Sequence, residues 1–310
     1  MYLQVGAYRK GVLVVKGALL VCRINYSHWR GNKRILVSFL LAAVLCFLLT
    51  EKIMNFAHEK DTILMALEPF IWSFEDGQSI MLSSLILILL FADMPLLDGS
   101  VPYYLIRINR KQWLTGQLMY VISATILYLV FVFTVTALLC SELAYPGNVW
   151  SDTAAKLGYT DAGEVLAVPA VIHAMEMSRP YKCAAMIAGL MLGYTLMSVL
   201  VMFIVNMWKG QLVAVVSVAG LHLFGILLNP SWITSIFHLS VQQQSIAQLI
   251  CGWLSPIRQA TFHCHNFGYD SLPRLWQSFV YFGVIAVVLI ILLYISIRRY
   301  NFYFVGTELD

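Results

Sequence analysis

Residues 275–297 read LWQSFVYFGVIAVVLIILLYISI, a stretch without a single Asp, Glu, Lys or Arg. A helix of about 20 apolar residues is long enough to cross the hydrocarbon core of a bilayer. Five more stretches share this apolar, uncharged character: 35–50, 77–92, 112–141, 183–208 and 210–257. The sequence therefore predicts an all-α integral membrane protein.

Six transmembrane helices are expected, followed in each case by a loop or terminus that carries charge. We place the spans at about 35–56, 77–97, 114–140, 183–207, 211–229 and 276–297, within a six-span membrane domain of residues 35–310. Residues 1–34 form a cytoplasmic amphipathic helix region. Its apolar run, 11–22, is too short to span and is flanked by Lys and Arg, which favours a helix lying in the membrane interface over an ordinary tail.

Two external segments are long, 141–182 and 230–275. The first has a helix-start signal at Ser151. The second belongs to an uncharged run that is long enough for two spans, but Ser231–Pro256 is rich in Gln and Ser, which are costly facing lipid. We therefore predict re-entrant external helices between spans five and six, and not a seventh crossing.

Composition excludes a soluble domain. The chain has 310 residues, of which 60% are hydrophobic and 12% charged, whereas ordinary globular chains carry about 25% charged residues. The six Cys are scattered without a CxxC pair, so no zinc or redox motif is visible. Cys140 and Cys183 lie at the two edges of one external segment, where the sequence allows either a disulfide or two buried thiols.

The basic residues set the orientation. Residues 1–34, 93–112, 207–210 and 298–310 together hold thirteen of the twenty Lys and Arg, whereas the opposite side holds twelve of the sixteen acids. Lys and Arg are retained in cytoplasmic loops. We therefore expect both termini in the cytoplasm of a multi-pass protein of the cell (plasma) membrane, in contact with membrane lipid and with no nucleic acid.

Catalytic machinery is not visible in the sequence. There is no HExxH, GxSxG or paired carboxylate within a predicted span, and we predict no catalytic or metal site. His263, Cys264 and His265 are close in sequence but lack an identifiable third or fourth ligand. The acids at Glu59, Asp61, Glu75 and Asp76 are interpreted as solvated external charges. Because the spans carry no charge, any transport would be powered from outside the chain.

Residues 91–117, FADMPLLDGSVPYYLIRINRKQWLTGQ, form the largest cytoplasmic loop between predicted spans. Asp98-Gly99-Ser100 is a turn that can cap a short helix over 101–107. That helix would present aromatic and aliphatic side chains beside Arg, a composition typical of a docking patch for a protein partner. Trp113 would anchor the return into the membrane. A plain positive-inside loop with lipid-facing anchors explains the same residues equally well.

The segment resembles the coupling-helix region of permease subunits in type-two ATP-binding-cassette exporters. The shared pattern is an acid, Gly and Ser or Thr turn, a Leu- or Tyr-rich helix, Arg-x-x-Arg and Trp-x-x-Gly-Gln. The layout of an amphipathic N-terminal helix, six spans and re-entrant external helices is also similar. This chain departs from the pattern at Asp98, which Gly99 follows directly where the family has Arg, and in its longer 141–182 segment.

The resemblance implies a permease that forms the substrate pathway of an ATP-driven exporter. ATP and Mg would bind a separate ABC ATP-binding subunit, so this chain would bind no cofactor and would not itself be an enzyme. A second permease subunit, identical or different, would complete the transporter. The coupling segment, 98–113, would contact the ATPase through Asp98, Gly99, Ser100, Tyr103, Tyr104, Leu105, Ile106, Arg107 and Arg110. The sequence itself contains no GxxxxGK[ST] phosphate loop.

Small polar residues within the predicted spans are candidates for the substrate pathway. They are Ser79, Ser83, Ser84, Ser198, Asn206, Ser217 and His222. Such residues also join helices by hydrogen bonds, and the sequence leaves both roles open. A second function class stays open as well, a non-transporting membrane sensor or assembly scaffold that uses 141–182 as its external binding segment.

Overall fold

The structure, a computed structural model, describes residues 2–95, 108–166, 168, 172–238, 244–268 and 271–300. Side chains are described from residue 15 onward, apart from those at 164, 173 and 244. Helices dominate. Those of the first half are α1 (Tyr2–Ser27), α2 (Lys33–Glu59), α3 (Glu68–Phe74), α4 (Gly77–Phe91) and α5 (Arg110–Leu139). Those of the second half are α6 (Asp152–Tyr159), α7 (Ala162–Leu166), α8 (Ile172–Met177), α9 (Pro180–Lys209), α10 (Gln211–Leu227), α11 (Pro230–Ile236), α12 (Gln244–Leu254), α13 (Pro256–Ala260) and α14 (Leu275–Ser296).

Within the described ranges, four helices are long and apolar enough to cross a membrane: α2, α5, α9 and α14. Two pairs meet the same criterion as bent units, α3–α4 with an angle of 91° and α10–α11 with an angle of 78°. The outer faces of these helices expose Leu, Val, Ile and Phe, a distribution that suits lipid and is unfavourable in water. The protein is therefore an all-α membrane protein with four to six helices able to span.

Each of the six predicted spans contains a helix, and the boundaries differ mainly around residues 91–117. α4 ends at Phe91, short of the predicted limit at 97, because the chain turns there with a hydrogen bond from Met94 N to Phe91 O at 2.9 Å. α5 begins at Arg110, ahead of the predicted 114, with a capping box between Asn109 and Gln112. That each helix crosses the bilayer stays a prediction.

The N-terminal helix α1 packs along the first half of α5. Its side chains interlock with that helix: Asn25 Nδ2 donates to Gln117 Oε1 at 2.7 Å, with both residues buried. Close approach requires Gly116, where a Cβ would come within 2.6 Å of the Ala18 carbonyl oxygen. Trp113 lies fully buried in this region, so its predicted role as an interfacial anchor is wrong. The interfacial placement of α1 itself remains a prediction.

The segment between α5 and α9 folds back onto the segment between α2 and α4. A short parallel pair joins β1 (Leu64–Met65) to β2 (Ala144–Tyr145). α6 begins at the predicted position, with the Ser151 hydroxyl accepting from Ala154 N at 3.1 Å. The segment 230–275 forms α11–α13 and a 3₁₀ turn (Phe262–Cys264), whose helices are each too short to cross a bilayer alone.

Candidate functional site

Most of the predicted coupling residues lie outside the described residues: Asp98, Gly99, Ser100, Tyr103, Tyr104, Leu105, Ile106 and Arg107. Arg110 is described, and it is the first residue of α5. Its Nη1 donates to the backbone oxygens of Ile297, Arg298 and Tyr300 at 3.4, 3.3 and 3.1 Å. Carbonyls at a helix C-terminus lack intrahelical donors and attract cations. Arg110 therefore ties the start of α5 to the end of α14.

The residues that precede segment 96–107 are also held by side-chain contacts. Arg34 Nη2 lies 3.0 Å from Asp93 Oδ2. This ion pair joins the start of α2 to a residue just beyond the end of α4. The Asn206 side-chain amide, near the end of α9, donates to the Met94 backbone oxygen. Segment 96–107 is thus flanked on one side by bonds to α2 and α9, and on the other by bonds to α14.

Three of the predicted pathway residues meet inside the bundle. Ser84 Oγ lies 2.6 Å from His222 Nε2, and His222 Nδ1 lies 3.3 Å from the Tyr194 hydroxyl. Beside them, Ser83 Oγ lies 3.1 Å from the Tyr128 hydroxyl. These five side chains, all buried, form what we call the polar cluster. It joins α4, α5, α9 and α10.

The polar cluster connects helices that are far apart in the chain. Ser84 Oγ is also within hydrogen-bond distance of Met81 O, at 2.9 Å, within its own helix. Which atom donates in the two His222 bonds depends on the tautomer of the ring. In either tautomer the bonds hold α4, α9 and α10 together, as polar side chains commonly do within membranes.

The other predicted pathway residues do not join the polar cluster. Ser198 donates to Tyr194 O at 3.0 Å and Ser217 donates to Val213 O at 2.7 Å, both within their own helices. Ser79 lies in the first turn of α4, where its backbone amide is capped by Asp76 at 3.3 Å. Asn206 donates to Met94 O, close to segment 96–107. Sequence analysis did not identify Tyr128 and Tyr194 as members of the polar cluster, because a hydroxyl on an apolar ring gives no distinctive sequence pattern.

A second polar region lies at the 91° bend between α3 and α4, and we call it the bend site. Its two acids, Glu68 and Glu75, are both 0% exposed. Glu68 receives hydrogen bonds from Ser151 N at 2.7 Å, Ser151 Oγ at 2.5 Å and Met65 N at 3.1 Å. The carboxylate therefore holds α6 and the end of β1 against α3.

Glu75 has a different environment. Neither of its carboxyl oxygens has a hydrogen-bond partner among the described residues, and the same holds for Trp72 Nε1, Ser73 Oγ and His263 Nδ1. Interpreting Glu75 as a solvated external charge is thus wrong, whereas Glu59 and Asp61 are indeed exposed. An ionised group buried without donors is strongly disfavoured, so the neutral acid suits this position. Orphaned buried groups indicate water, an ion or a ligand.

Sequence reasoning missed the bend site because both acids lie outside the predicted spans. A signal was present: residues 69–74, PFIWSF, are apolar and aromatic, and Glu68 and Glu75 flank them directly. A run of that kind is more apolar than an exposed turn requires. Asp76, the neighbouring acid, is the helix cap, accepting from Gln78 N and Ser79 N at 3.2 and 3.3 Å.

The 3₁₀ turn beside the bend site carries His263, which is half-buried, and is followed by His265, which is buried. Burial lowers the pKa of His263, an effect that nearby Asp76 opposes. His265 lies 2.7 Å from Ser278 Oγ and 3.0 Å from Phe262 O, and burial lowers the pKa of His265 as well. Among the described residues, no group of three or more His, Cys, Asp or Glu is placed to hold a metal.

Cys140 and Cys183 are both buried free thiols.

Comparison with known protein families, with curated proteins and with solved structures finds no match for this chain.

Proposed function

We propose that the chain is the permease subunit of an ATP-driven ABC exporter. In this proposal α2, α4, α5, α9, α10 and α14 lie in the six crossings of the cell membrane, α11 belongs to the external segment, and both termini are in the cytoplasm. Two permeases, identical or different, pair with each other and dock on separate ATP-binding subunits. ATP and Mg bind those subunits.

The observation that carries the proposal is the attachment of the cytoplasmic loop at both flanks. Arg34–Asp93 and Asn206–Met94 connect its start to α2 and α9, and Arg110 connects its end to α14. A force applied to residues 96–107 would therefore reach several long helices at once. Coupling an external ATPase to a rigid-body tilt of spans requires such a connection.

The polar cluster supports the same mechanism from inside the bundle. It joins α4, which leads into the cytoplasmic loop, to α9 and α10 through Ser84, Tyr194 and His222. Its hydrogen bonds join residues far apart in the chain and connect the helices to one another. A tilt of α4 would then be shared by α9 and α10.

The sensor or scaffold alternative has less support. It requires 141–182 to act as a free external binding segment, yet α6 within that segment is fixed by the bonds between Ser151 and Glu68. Trp150 stacks on Trp72 with ring centroids 5.3 Å apart. The segment is thus part of the membrane domain's own packing.

Co-purification tests the proposal. The wild-type chain, extracted from its native membrane in mild detergent, should bring an ATP-binding subunit with it. Tyr104→Ala should weaken that association by on the order of 2 kcal/mol, because a central aromatic anchor is lost. Tyr181→Ala is the matched control, since Tyr181 is 47% exposed at the opposite end of the bundle. A wild-type chain that brings no ATP-binding subunit would refute the proposal.

A second variant separates docking from coupling. Asn206→Ala removes the bond to Met94 and leaves residues 96–107 unchanged. The ATP-binding subunit should still co-purify, while substrate-stimulated ATP hydrolysis falls. If substrate still stimulates ATP hydrolysis to the wild-type level, the hydrogen bond between Asn206 and Met94 does not transmit the movement to α9.

A further inference from the structure

A cavity of about 340 Å³ opens where α9 and α14 begin, beside residues 262–268. We call it the α9–α14 cavity. Its volume is at the low end of the range for small-molecule sites, so it suits a head group more than a whole ligand with a long chain.

The wall formed by residues 262–268 is held in place by the protein itself. Asn266 N donates to Pro273 O at 3.0 Å, which fixes this segment against the start of α14. Phe262 and Phe267, which both line the cavity, pack against each other with ring centroids 5.3 Å apart. A ligand therefore meets a wall that needs little reordering, a condition that favours binding.

Both charged residues that line the α9–α14 cavity are cations. Lys182 is the third residue of α9, Arg274 directly precedes α14, and both are exposed. Among the described residues, neither side chain has an ion pair or hydrogen bond, and none of those lining the cavity is acidic. Glu176, the described acid nearest to Lys182 in sequence, accepts from the Tyr159 hydroxyl at 3.5 Å. Two accessible cations without an acid beside them favour an anion.

The packing of α9 on α14 shows that the two helices begin at the same end of the bundle. A Cβ at Gly189, near the start of α9, would lie 2.9 Å from the Phe279 ring, near the start of α14. At their other ends, Trp208 Nε1 donates to Ser296 Oγ at 2.8 Å. The helices therefore run in the same direction. Both are long and apolar enough to cross a membrane, so the cavity lies at a membrane surface.

The surroundings of the two cations suit a lipid head group. Tyr181 is 47% exposed and Trp276 is 60% exposed, and such amphipathic rings are favoured at the level of the head groups. Met186, one turn further along α9 than Lys182, and Leu275 give the cavity an apolar lining. A hydrocarbon chain attached to an anion at the cations would meet these side chains first.

We propose that the α9–α14 cavity binds the head group of an anionic membrane phospholipid. The phosphate accepts from Lys182 and Arg274, and the acyl chains lie along the outer faces of α9 and α14. The exposed aromatic rings and the apolar lining favour a lipid over a soluble anion. The site goes beyond the proposed transport function, and its occupancy does not depend on an ATP-binding subunit.

Photolabelling of the full chain in detergent tests the proposal. The probes are phosphatidylglycerol and phosphatidylcholine, each with a diazirine near the start of one acyl chain, and labelled peptides are mapped by mass spectrometry. Phosphatidylglycerol should label residues 182–186 and 275–279. Phosphatidylcholine, whose choline cancels the charge of the phosphate, should label them far less. Excess inorganic phosphate should displace the label no better than sodium chloride of the same ionic strength.

Two variants test recognition of the charge. Lys182→Gln and Arg274→Gln should each lower labelling by phosphatidylglycerol about threefold, and the double variant about tenfold, as expected for two exposed ion pairs that act independently. Lys156→Gln is the control, because Lys156 is an exposed cation of α6 outside the cavity. The variants should fold as the wild type does, since the side chains that change make no bond to the described residues.

Four results would overturn the proposal. Equal labelling by the two phospholipids would show that the cavity does not recognise net charge. Specific displacement by inorganic phosphate would identify a site for a soluble anion. Labelling that persists at the wild-type level in the double variant would show that the two cations do not hold the head group. An absence of labelling at both peptides would show that lipid does not enter the cavity.

Discussion

Glu68 and Glu75 lie at the two ends of the short helix α3, and both are completely buried. Glu68 accepts three hydrogen bonds, two of them from Ser151 of the distant segment 141–182. Glu75 accepts none from the residues that the structure describes. The contrast teaches that burial of an acid does not define its role. The donors around it separate an acid that holds distant segments together from one that makes no side-chain hydrogen bond to the described residues.

Removing the first acid should have the largest effect. Glu68→Ala leaves Met65 N, Ser151 N and Ser151 Oγ buried without their acceptor, and we expect a loss of about 3 kcal/mol in the free energy of unfolding. The measurement is thermal unfolding in detergent, followed by tryptophan fluorescence. Limited proteolysis should also cut 141–182 faster.

Two controls accompany this variant. Glu68→Gln keeps one acceptor oxygen and should lose less stability than Glu68→Ala. Ser151→Ala removes one of the three donors together with the α6 cap, which is worth about 1 kcal/mol. If Glu68→Ala unfolds at the same temperature as the wild type, segment 141–182 is held by other contacts. The proposed difference between the two acids would then be wrong.

The second acid should respond in the opposite direction. Glu75→Leu replaces a buried carboxyl that has no partner among the described residues with an apolar side chain of similar size, so stability should stay unchanged or rise by about 1 kcal/mol. The same unfolding experiment measures it. A loss comparable to that of Glu68→Ala would reveal an unrecognised partner of Glu75 and erase the difference between the two acids.

The smallest effect concerns pH and His263, which lies beside the bend site. Burial lowers the pKa of His263 below its ordinary value of 6.5. The unfolded chain therefore binds the proton first as pH falls. Stability should be full above about pH 6.5 and decrease as pH falls from there toward the lower pKa of the folded state.

Unfolding measured between pH 7.5 and about 5 tests this sign, and His263→Gln should flatten the curve. An ionised Glu75 beside the imidazole would give the opposite result, because it would favour the imidazolium and raise stability on acidification. That outcome would show that Glu75 is charged in the folded protein.

The local pattern of apolar and charged residues was sufficient to predict where the long helices lie. Uncharged apolar stretches predicted the long helices within a few residues, because length and hydropathy are properties of a contiguous segment. The end of α4 was misplaced at 97, since the turn after Phe91 involves contacts with α2 and α9. Arg110 was predicted to face a partner protein, whereas the structure joins it to the end of α14, a contact between residues far apart in the chain. Its predicted role in coupling stays a proposal.

The sequence by itself determined that this is a helical membrane protein, because hydrophobic segments of sufficient length have few other stable solutions. It also identified three members of the polar cluster, Ser83, Ser84 and His222, as polar groups within apolar helices. Only the tertiary structure decided that Ser151 reaches Glu68, and that Glu75 is buried without such a donor among the described residues. The physical reason is that a hydrogen-bond partner is chosen by proximity in space, and a bend of 91° between α3 and α4 brings together groups that no sequence spacing relates.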